Sequence, residues 1–137
     1  MNSLKGILVA KFKRNSKSSK VTFLFDELPS EIEKKLNSKL IFEAFEEGVL
    51  LKYVSEENWF CLTTHRLFGV HKNEISIKNE DFVQVMAIPN LGNVFEGIST
   101  IQIVTNDDNK FFIEVEENTY AGVLSLLQYF VFRNIPT

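Results

Sequence analysis

The sequence has 137 residues, a formal net charge of −3 and a pI of about 5.4, with 45% hydrophobic and 24% charged residues. This composition is typical of one ordinary globular domain, and its acidic balance disfavours nucleic-acid binding, for which domains usually have a high pI. The single cysteine excludes an internal disulfide framework. No apolar run is long enough for a signal peptide or for the roughly 20 residues of a membrane span. We therefore expect a cytoplasmic protein.

The first 28 residues are predicted to form a β-hairpin extension, joined to a single domain over 29–137. Residues 6–14 and 20–26 are short, β-branched and aromatic, and a polar Ser/Asn/Lys loop separates them. Positive charge is concentrated here, which is typical of a solvated turn and alternatively fits contact with an anionic surface. The basic residues of this region are Lys11, Lys13, Arg14, Lys17 and Lys20.

A helix is predicted over about 30–46. Ser30 followed by Glu33 matches a capping box, in which each side chain satisfies a free backbone donor at the start of a helix. Gly48 is a natural stop after it. The apolar residues predicted to share one face of this helix are Ile32, Leu36, Leu40, Ile41 and Phe45.

After this helix the hydrophobic pattern alternates, and it predicts about seven antiparallel strands between 48 and 116. The sequence NDDN at 106–109 is typical of a hairpin turn. Residues 89–99 are ambiguous between a plain loop and a loop with a short strand at Val94 and Phe95. The segments with the clearest strand pattern are GVLLKYVS, WFCLT, RLFGVHK, DFVQVMAI, STIQIVTN and KFFIEVE.

A second helix is predicted at about 119–133, where apolar residues recur at helical spacing. Leu126, Tyr129 and Phe132 lie off this apolar stripe. Either the helix packs on two sides, or these three residues form a surface for a partner. The stripe itself consists of Tyr120, Val123, Leu124, Leu127, Phe130 and Val131.

This order of elements has a simple physical solution, in which twisted antiparallel strands curl into a barrel or orthogonal sandwich and the last helix covers one open end. The segment WFCLTTHRLFGVHK, followed by EDFVQVMAI, resembles the hallmark of bacterial pleckstrin-homology-like (PH/GRAM-like) domains. The resemblance covers about residues 30–133 and implies a mainly β (α+β) fold. That fold is a PH-like antiparallel barrel of about seven strands capped by the C-terminal helix, here with the N-terminal hairpin and helix appended. The matching residues are Leu62, Thr63, Thr64, Arg66, Leu67, Asp81, Phe82 and Val85.

The predicted core lies inside the strands and under the terminal helix, and thirteen phenylalanines indicate that large flat side chains contribute to it. A barrel of this size is usually filled by side chains, so a hollow interior for a lipid is the less favoured alternative. The predicted core residues are Phe60, Leu62, Phe82, Val85, Ile101, Ile103, Phe112, Val123, Leu127 and Phe130.

The stretch LTTHRLFGVHK at 62–72 holds both histidines and follows Cys61 directly. On a strand, Cys61 and His65 would be about 13 Å apart, too far for a catalytic pair. A zinc site needs three or four ligands, and His71 is the one further His or Cys in the sequence. We interpret Cys61 as a buried small hydrophobe and the histidines as surface residues.

Arg66 is expected to tether the turn or to pair with an acidic neighbour, with binding of an anionic ligand as the alternative. We predict no catalytic residue, metal site or cofactor, and therefore a protein that is not an enzyme.

The resemblance implies a protein–protein interaction or scaffold module, because such barrels mostly present a strand edge or the terminal helix to a partner, which can be a second copy. Phosphoinositide binding is disfavoured, since the loop SEEN at 55–58 carries Glu56 and Glu57 where phosphoinositide-binding relatives are basic. The alternatives are a membrane-surface or small apolar ligand or lipid-binding domain, and a toxin-neutralising immunity-type protein. The candidate interaction residues are the off-stripe set on the terminal helix and the basic residues of the N-terminal region.

Overall fold

The computed structural model describes residues 3–88 and 98–135. Two antiparallel sheets pack with a C-terminal helix in an α+β arrangement. No helix in these two ranges is long and apolar enough to cross a membrane. In chain order the helices and strands are α1 (Leu4–Asn15), β1 (Thr22–Leu24), α2 (Ser30–Leu36), β2 (Gly48–Ser55), β3 (Asn58–Thr63), β4 (Arg66–His71), β5 (Asn73–Lys78), β6 (Phe82–Ala87), β7 (Ile98–Thr105), β8 (Lys110–Glu116) and α3 (Tyr120–Asn134).

One sheet has five strands in the order β1-β2-β3-β4-β5, and the other has three in the order β6-β7-β8. Within the described residues no strand pairs across the two sheets, so they are open rather than closed into a barrel. In the described parts of 48–116 there are seven strands, β2 to β8, which confirms the predicted number and their antiparallel pairing. The hydrophobic pattern does not single out β5, because its inward residues are only Ile75 and Ile77. The strand considered at 94–95 lies outside the described residues.

The main core lies between the two sheets and under α3, where alternate strand residues point inward. Nine of the ten predicted core residues are buried, which confirms both the strand alternation and the helical stripe. Phe112 is the exception, because 38% of its surface is exposed. Ile113 and Val115 of β8 face the core, so Phe112 lies on the opposite face of that strand.

The predicted C-terminal helix is confirmed as α3, and it is buried on two sides. Leu126, which was a candidate for a partner surface, has no exposed surface and belongs to the main core. The reason is that α1 packs against α3. A Cβ atom at Gly122 would lie 2.9 Å from Cδ1 of Phe12, so the glycine allows the two helices to approach closely.

The predicted N-terminal hairpin is wrong, because its first strand is the helix α1. Ser3 caps this helix, its Oγ accepting a hydrogen bond from the Gly6 amide at 3.0 Å. Helical spacing places Leu8 and Phe12 on one face, where both are buried in the main core. This packing outweighs the β-branched composition of the stretch, and only β1 remains extended, beside β2.

The predicted helix over 30–46 is too long, because α2 ends at Leu36. Pro29 occupies the N-cap position and makes no side-chain hydrogen bond there. The predicted capping box of Ser30 and Glu33 is therefore wrong as well. Proline restricts the backbone at the start of the helix without needing that reciprocal pair of hydrogen bonds.

After α2, residues 37–47 cross the outer face of the five-stranded sheet, where a second hydrophobic cluster lies. Leu40 and Phe42 both pack against this cluster, as residues two apart do in an extended segment but not in an α-helix. Gly48 then opens β2 instead of ending a helix. The buried residues of the second cluster are Leu36, Leu51, Trp59, Cys61 and Phe68.

Lys52 of β2 links the two sheets, although nothing in the hydrophobic pattern marks it. Its Nζ donates hydrogen bonds to the backbone oxygen of Glu114 at 2.6 Å and to Asn58 Oδ1 at 2.9 Å, and the residue is 3% exposed. Burial lowers the pKa of Lys52 to about 8, an effect that the charges of Glu114 and Glu116 partly oppose. The carboxylate of Glu116 in β8 accepts a hydrogen bond from the Thr22 hydroxyl of β1 at 2.8 Å, which adds a second link between the sheets.

The stability of the wild-type protein should rise with pH between about 8 and 10.5 because of Lys52. In that window the unfolded chain still binds a proton that the folded chain has released, so a higher pH favours the folded state. Lys52→Met should remove this rise, which is on the order of 3 kcal/mol, whereas Lys110→Met, at an exposed lysine, should retain it. Urea unfolding of the three proteins across the window provides the measurement, and equal pH dependence in all three would contradict a buried charge at Lys52.

Candidate functional site

The turn between β3 and β4 is organised by the hydroxyl group of Thr63. Its Oγ1 accepts hydrogen bonds from the backbone amides of His65 and Arg66, both at 3.0 Å. The same hydroxyl donates to Glu46 Oε2 at 2.5 Å. Threonine hydroxyls stabilise turns through such local bonds to the backbone. The stretch with both histidines is therefore a structural turn between two strands.

Glu46 and Arg66 form a buried ion pair beside this turn. Arg66 Nε lies 2.9 Å from Glu46 Oε2, and the Glu46 side chain has no exposed surface. Burial raises the pKa of this carboxyl, but hydrogen bonds from Arg66, Thr63 and the Glu43 amide outweigh that effect. Together with the charge of Arg66, they hold the pKa of Glu46 below its usual value. The carboxylate is therefore ionised at neutral pH, and the predicted pairing of Arg66 with an acidic neighbour is confirmed.

Asn79 connects the turn to the C-terminal helix. Its Nδ2 donates to the Thr63 backbone oxygen at 2.8 Å, and its amide donates to the His65 oxygen at 2.9 Å. Asn134, at the end of α3, donates to the backbone oxygens of Asn79 at 2.8 Å and Phe82 at 3.0 Å. The turn is therefore anchored to α3 on one side and to the buried ion pair on the other.

Two large apolar side chains are exposed on residues 41–47, a segment that we call the tip. Ile41 is 70% exposed and Phe45 is 94% exposed. Phe45 has a φ of 66°, a backbone conformation that costs a bulky L-residue of order 1–3 kcal/mol. Such a conformation persists only where neighbouring contacts determine it. Here Arg66 Nη2 donates to the Ile41 oxygen at 2.7 Å, and the Glu43 amide donates to Glu46 Oε1 at 2.9 Å.

Next to the tip, an open groove of about 470 Å³ lies on the outer face of the five-stranded sheet. We call it the outer groove. The rings of Trp59 and Phe68 meet edge to face with centroids 5.8 Å apart. Lys39 Nζ lies 5.9 Å from the Trp59 centroid, and Arg66 Cζ lies 4.2 Å from the Phe68 centroid. Trp59 Nε1 is buried and has no acceptor among the described residues. Val70 and Glu74 continue the groove away from the tip.

The residues considered for catalysis or metal binding do not come together. Cys61 is fully buried, and burial raises the pKa of its thiol to about 12, which leaves the sulfur protonated and unreactive. His65 is exposed in the turn, and His71 Nδ1 lies 3.4 Å from Glu114 Oε1 at the other end of β4. Burial lowers the pKa of His71, with Glu114 acting in the opposite direction. Within residues 3–88 and 98–135 no three His, Cys, Asp or Glu side chains form a group able to hold a metal ion.

The predicted interaction residues lie in different environments. The burial of Leu126 excludes it from any surface. Tyr129 is half-buried, with Lys11 Nζ 5.4 Å and Arg133 Cζ 5.7 Å from its ring centroid. Phe132 is 70% exposed near the end of α3. The exposed basic residues, which lie on the last turn of α1 and in the segment after it, are Lys13, Arg14, Lys17 and Lys20.

The two antiparallel sheets and the terminal helix form a pleckstrin-homology-like fold. The chain is similar to the crystal structure, at 2.00 Å, of a DUF1696 family protein with a pleckstrin-homology domain from Shewanella loihica PV-4. The TM-score is 0.55 with 15% sequence identity, over 82% of this chain and 99% of that one. At this identity the similarity shows the fold alone. No protein-family model and no curated protein matches the chain.

Glu46→Gln should destabilise the fold by about 1–3 kcal/mol near neutral pH, because the Arg66 guanidinium loses its buried counter-charge. The matched control is Glu47→Gln, which changes an exposed carboxylate and should stay within about 0.5 kcal/mol of the wild type.

The loss of unfolding free energy caused by Glu46→Gln should also become smaller in acid. A carboxyl whose pKa is lower in the folded state contributes stability above its unfolded pKa and loses it as the pH falls through its folded pKa. Urea unfolding between neutral and acidic pH measures both effects, and a cost that does not depend on pH would contradict them.

Proposed function

We propose that this chain is a non-catalytic protein-interaction domain of PH-like fold, and that the tip is its contact surface. The observation that carries the proposal is the 94% exposure of Phe45 on a segment that a buried ion pair holds in place. A phenylalanine in this position adds nothing to the core, and its backbone conformation costs free energy. A partner that covers the ring recovers the apolar area, since buried aromatic residues dominate interface energetics.

The hydrogen bonds of the tip support this role because they reduce the entropy lost on binding. A loop that must order itself on binding loses affinity, whereas a loop already held in one conformation does not. Arg66 contacts the backbone at Ile41, and Thr64 Oγ1 accepts a hydrogen bond from the Glu47 amide at 3.1 Å. Both ends of the tip are therefore held by the same β3–β4 turn.

The charges around Phe45 favour a protein partner over an anionic membrane. Glu43 and Glu47 are exposed on either side of it. These carboxylates would be repelled by acidic lipid headgroups and attracted by lysine or arginine side chains.

Site-specific photocrosslinking tests this surface directly. Phe45, Phe112 and Phe132 are all exposed phenylalanines, so a photoreactive phenylalanine analogue is a conservative replacement at each. Position 45 should give a discrete protein adduct in cells, and position 112, on the outward face of β8, should give none. Discrete adducts from position 132 without any from position 45 would move the contact surface to α3. The absence of discrete adducts at both positions would contradict the proposal.

A further inference from the structure

We propose that two copies of this chain join along β5, strand against strand, to form an antiparallel dimer. β5 pairs with β4 on one side and, within the described residues, with no strand on the other. The backbone amide and carbonyl groups of such an unpaired edge are a template for a further strand. β5 belongs to a different segment from the tip, so this contact goes beyond the proposed function and does not depend on it.

The free edge of β5 is regular and lacks several features that protect sheet edges from pairing. Over Asn73–Lys78 it follows β4 in one continuous register, without the shifts that occur in the β2–β3 and β6–β7 pairs. It contains no proline, and its inward-facing residues, Ile75 and Ile77, are apolar rather than charged. Glu74 and Lys78 are exposed and lie about 13 Å apart along the strand. A second strand can therefore pair with this edge unless these two charges oppose it.

The sequence around β5 has an inverted charge symmetry centred on Ser76. In KNEISIKNE, residues 72–80, each position before Ser76 has a counterpart at the same distance after it. A lysine is mirrored by a glutamate in every case, whereas asparagine mirrors asparagine and isoleucine mirrors isoleucine. The mirrored pairs are Lys72 with Glu80, Asn73 with Asn79, Glu74 with Lys78, and Ile75 with Ile77.

An antiparallel pair with its two-fold axis at Ser76 matches this symmetry. Directly opposite residues project from the same face, so Glu74 meets Lys78 of the second copy at both ends of the strand pair. Just beyond the strands, Lys72 approaches Glu80 of the second copy in the same way. An axis at Glu74 or at Lys78 would instead bring like charges together, which is destabilising. The charges therefore select one register, and the two-fold axis closes the assembly at two copies.

The two strand charges are available for this contact. Within the described residues neither Glu74 nor Lys78 belongs to an ion pair. Charged neighbours of both signs reduce the attraction without reversing it, since Glu46 already neutralises Arg66. The charged residues that line the same surface clefts are Lys39 and Arg66 beside Glu74, and Glu43, Glu80, His65, Arg66 and Arg133 beside Lys78.

Backbone hydrogen bonds supply most of the affinity of such a contact. Ile75 and Ile77 are already buried within one protomer, so dimerisation gains little from covering them. Exposed ion pairs also contribute modestly. In strand addition the main-chain bonds give affinity, and the side chains determine which strand is accepted and in which register.

Charge reversal tests the proposed register. Sedimentation should show a dimer of the wild type. Glu74→Lys and Lys78→Glu should each weaken the dimer by ~10-fold or more, because each places like charges at both ends of the strand pair. The double variant Glu74→Lys/Lys78→Glu should regain the dimer, since opposite charges again meet in the same register. The matched controls Glu31→Lys and Lys34→Glu, at exposed positions of α2, should dimerise like the wild type.

A cysteine at the two-fold axis provides an independent readout. Opposite Cα atoms of an antiparallel pair are about 4.5–5.5 Å apart, a distance that a disulfide can span. Ser76→Cys should therefore form a disulfide-linked dimer on mild oxidation, whereas Ser55→Cys, at another exposed serine, should not. The native Cys61 is fully buried and should not compete.

A monomeric wild type, or a dimer that neither β5 reversal weakens, would overturn the proposal. So would a double variant that stays monomeric, or crosslinking at position 76 that is no faster than at position 55. The substituted residues are exposed, so circular dichroism should show that every variant folds like the wild type. If one single variant is misfolded, the double variant and Ser76→Cys still decide between a dimer through β5 and none.

Discussion

The buried pairing of Glu46 with Arg66 is the interaction on which the conformation of the tip depends. It holds the irregular segment after α2 against the β3–β4 turn, and it does so with an ionised carboxylate that has no exposed surface. Buried ion pairs often add little net stability, because desolvation offsets most of the attraction. We interpret this one as fixing a conformation, since Arg66 bonds both to the Glu46 carboxylate and to the Ile41 backbone oxygen, and the carboxylate accepts a hydrogen bond from the Glu43 amide.

Hydrogen bonds extend from the ion pair to the end of the chain. Thr63 bonds both to the carboxylate and to the turn, Asn79 bonds to Thr63, and Asn134 of α3 bonds to Asn79. The tip, with its exposed Phe45, is thereby connected to the helix that covers the core. The motif that first suggested chemistry thus positions a surface instead of forming a reactive site.

Local patterns predicted the parts of the fold that depend on local rules. Alternation predicted the strands and most of the core, and helical spacing predicted α3. The sequence-based predictions were wrong where contacts between residues distant in the sequence determine the secondary structure. The stretch around Leu8 has β-branched neighbours, yet it is helical because α3 offers an apolar face. Helix α2 ends early because Leu40 and Phe42 pack on the sheet.

The candidate site was only partly predictable for the same reason. The role of Arg66 followed from its place in a turn motif, but its partner Glu46 is twenty residues away in a segment predicted to be helical. Phe45 was assigned to a buried helical face, and only the tertiary structure shows it in solvent. The burial of Lys52 could not be predicted from the sequence, because a single lysine within an apolar strand can equally well lie at the surface.

Amide hydrogen exchange at the tip tests the central claim most directly. The amides of Glu43 and Glu47 donate to Glu46 Oε1 and Thr64 Oγ1, so in the wild type they should exchange slowly for residues of an exposed segment. In Glu46→Gln they should exchange much faster, while the amides of β3 and β4 keep their protection. Rapid exchange at both positions in the wild type, or equal rates in the two proteins, would show that the ion pair does not hold the tip.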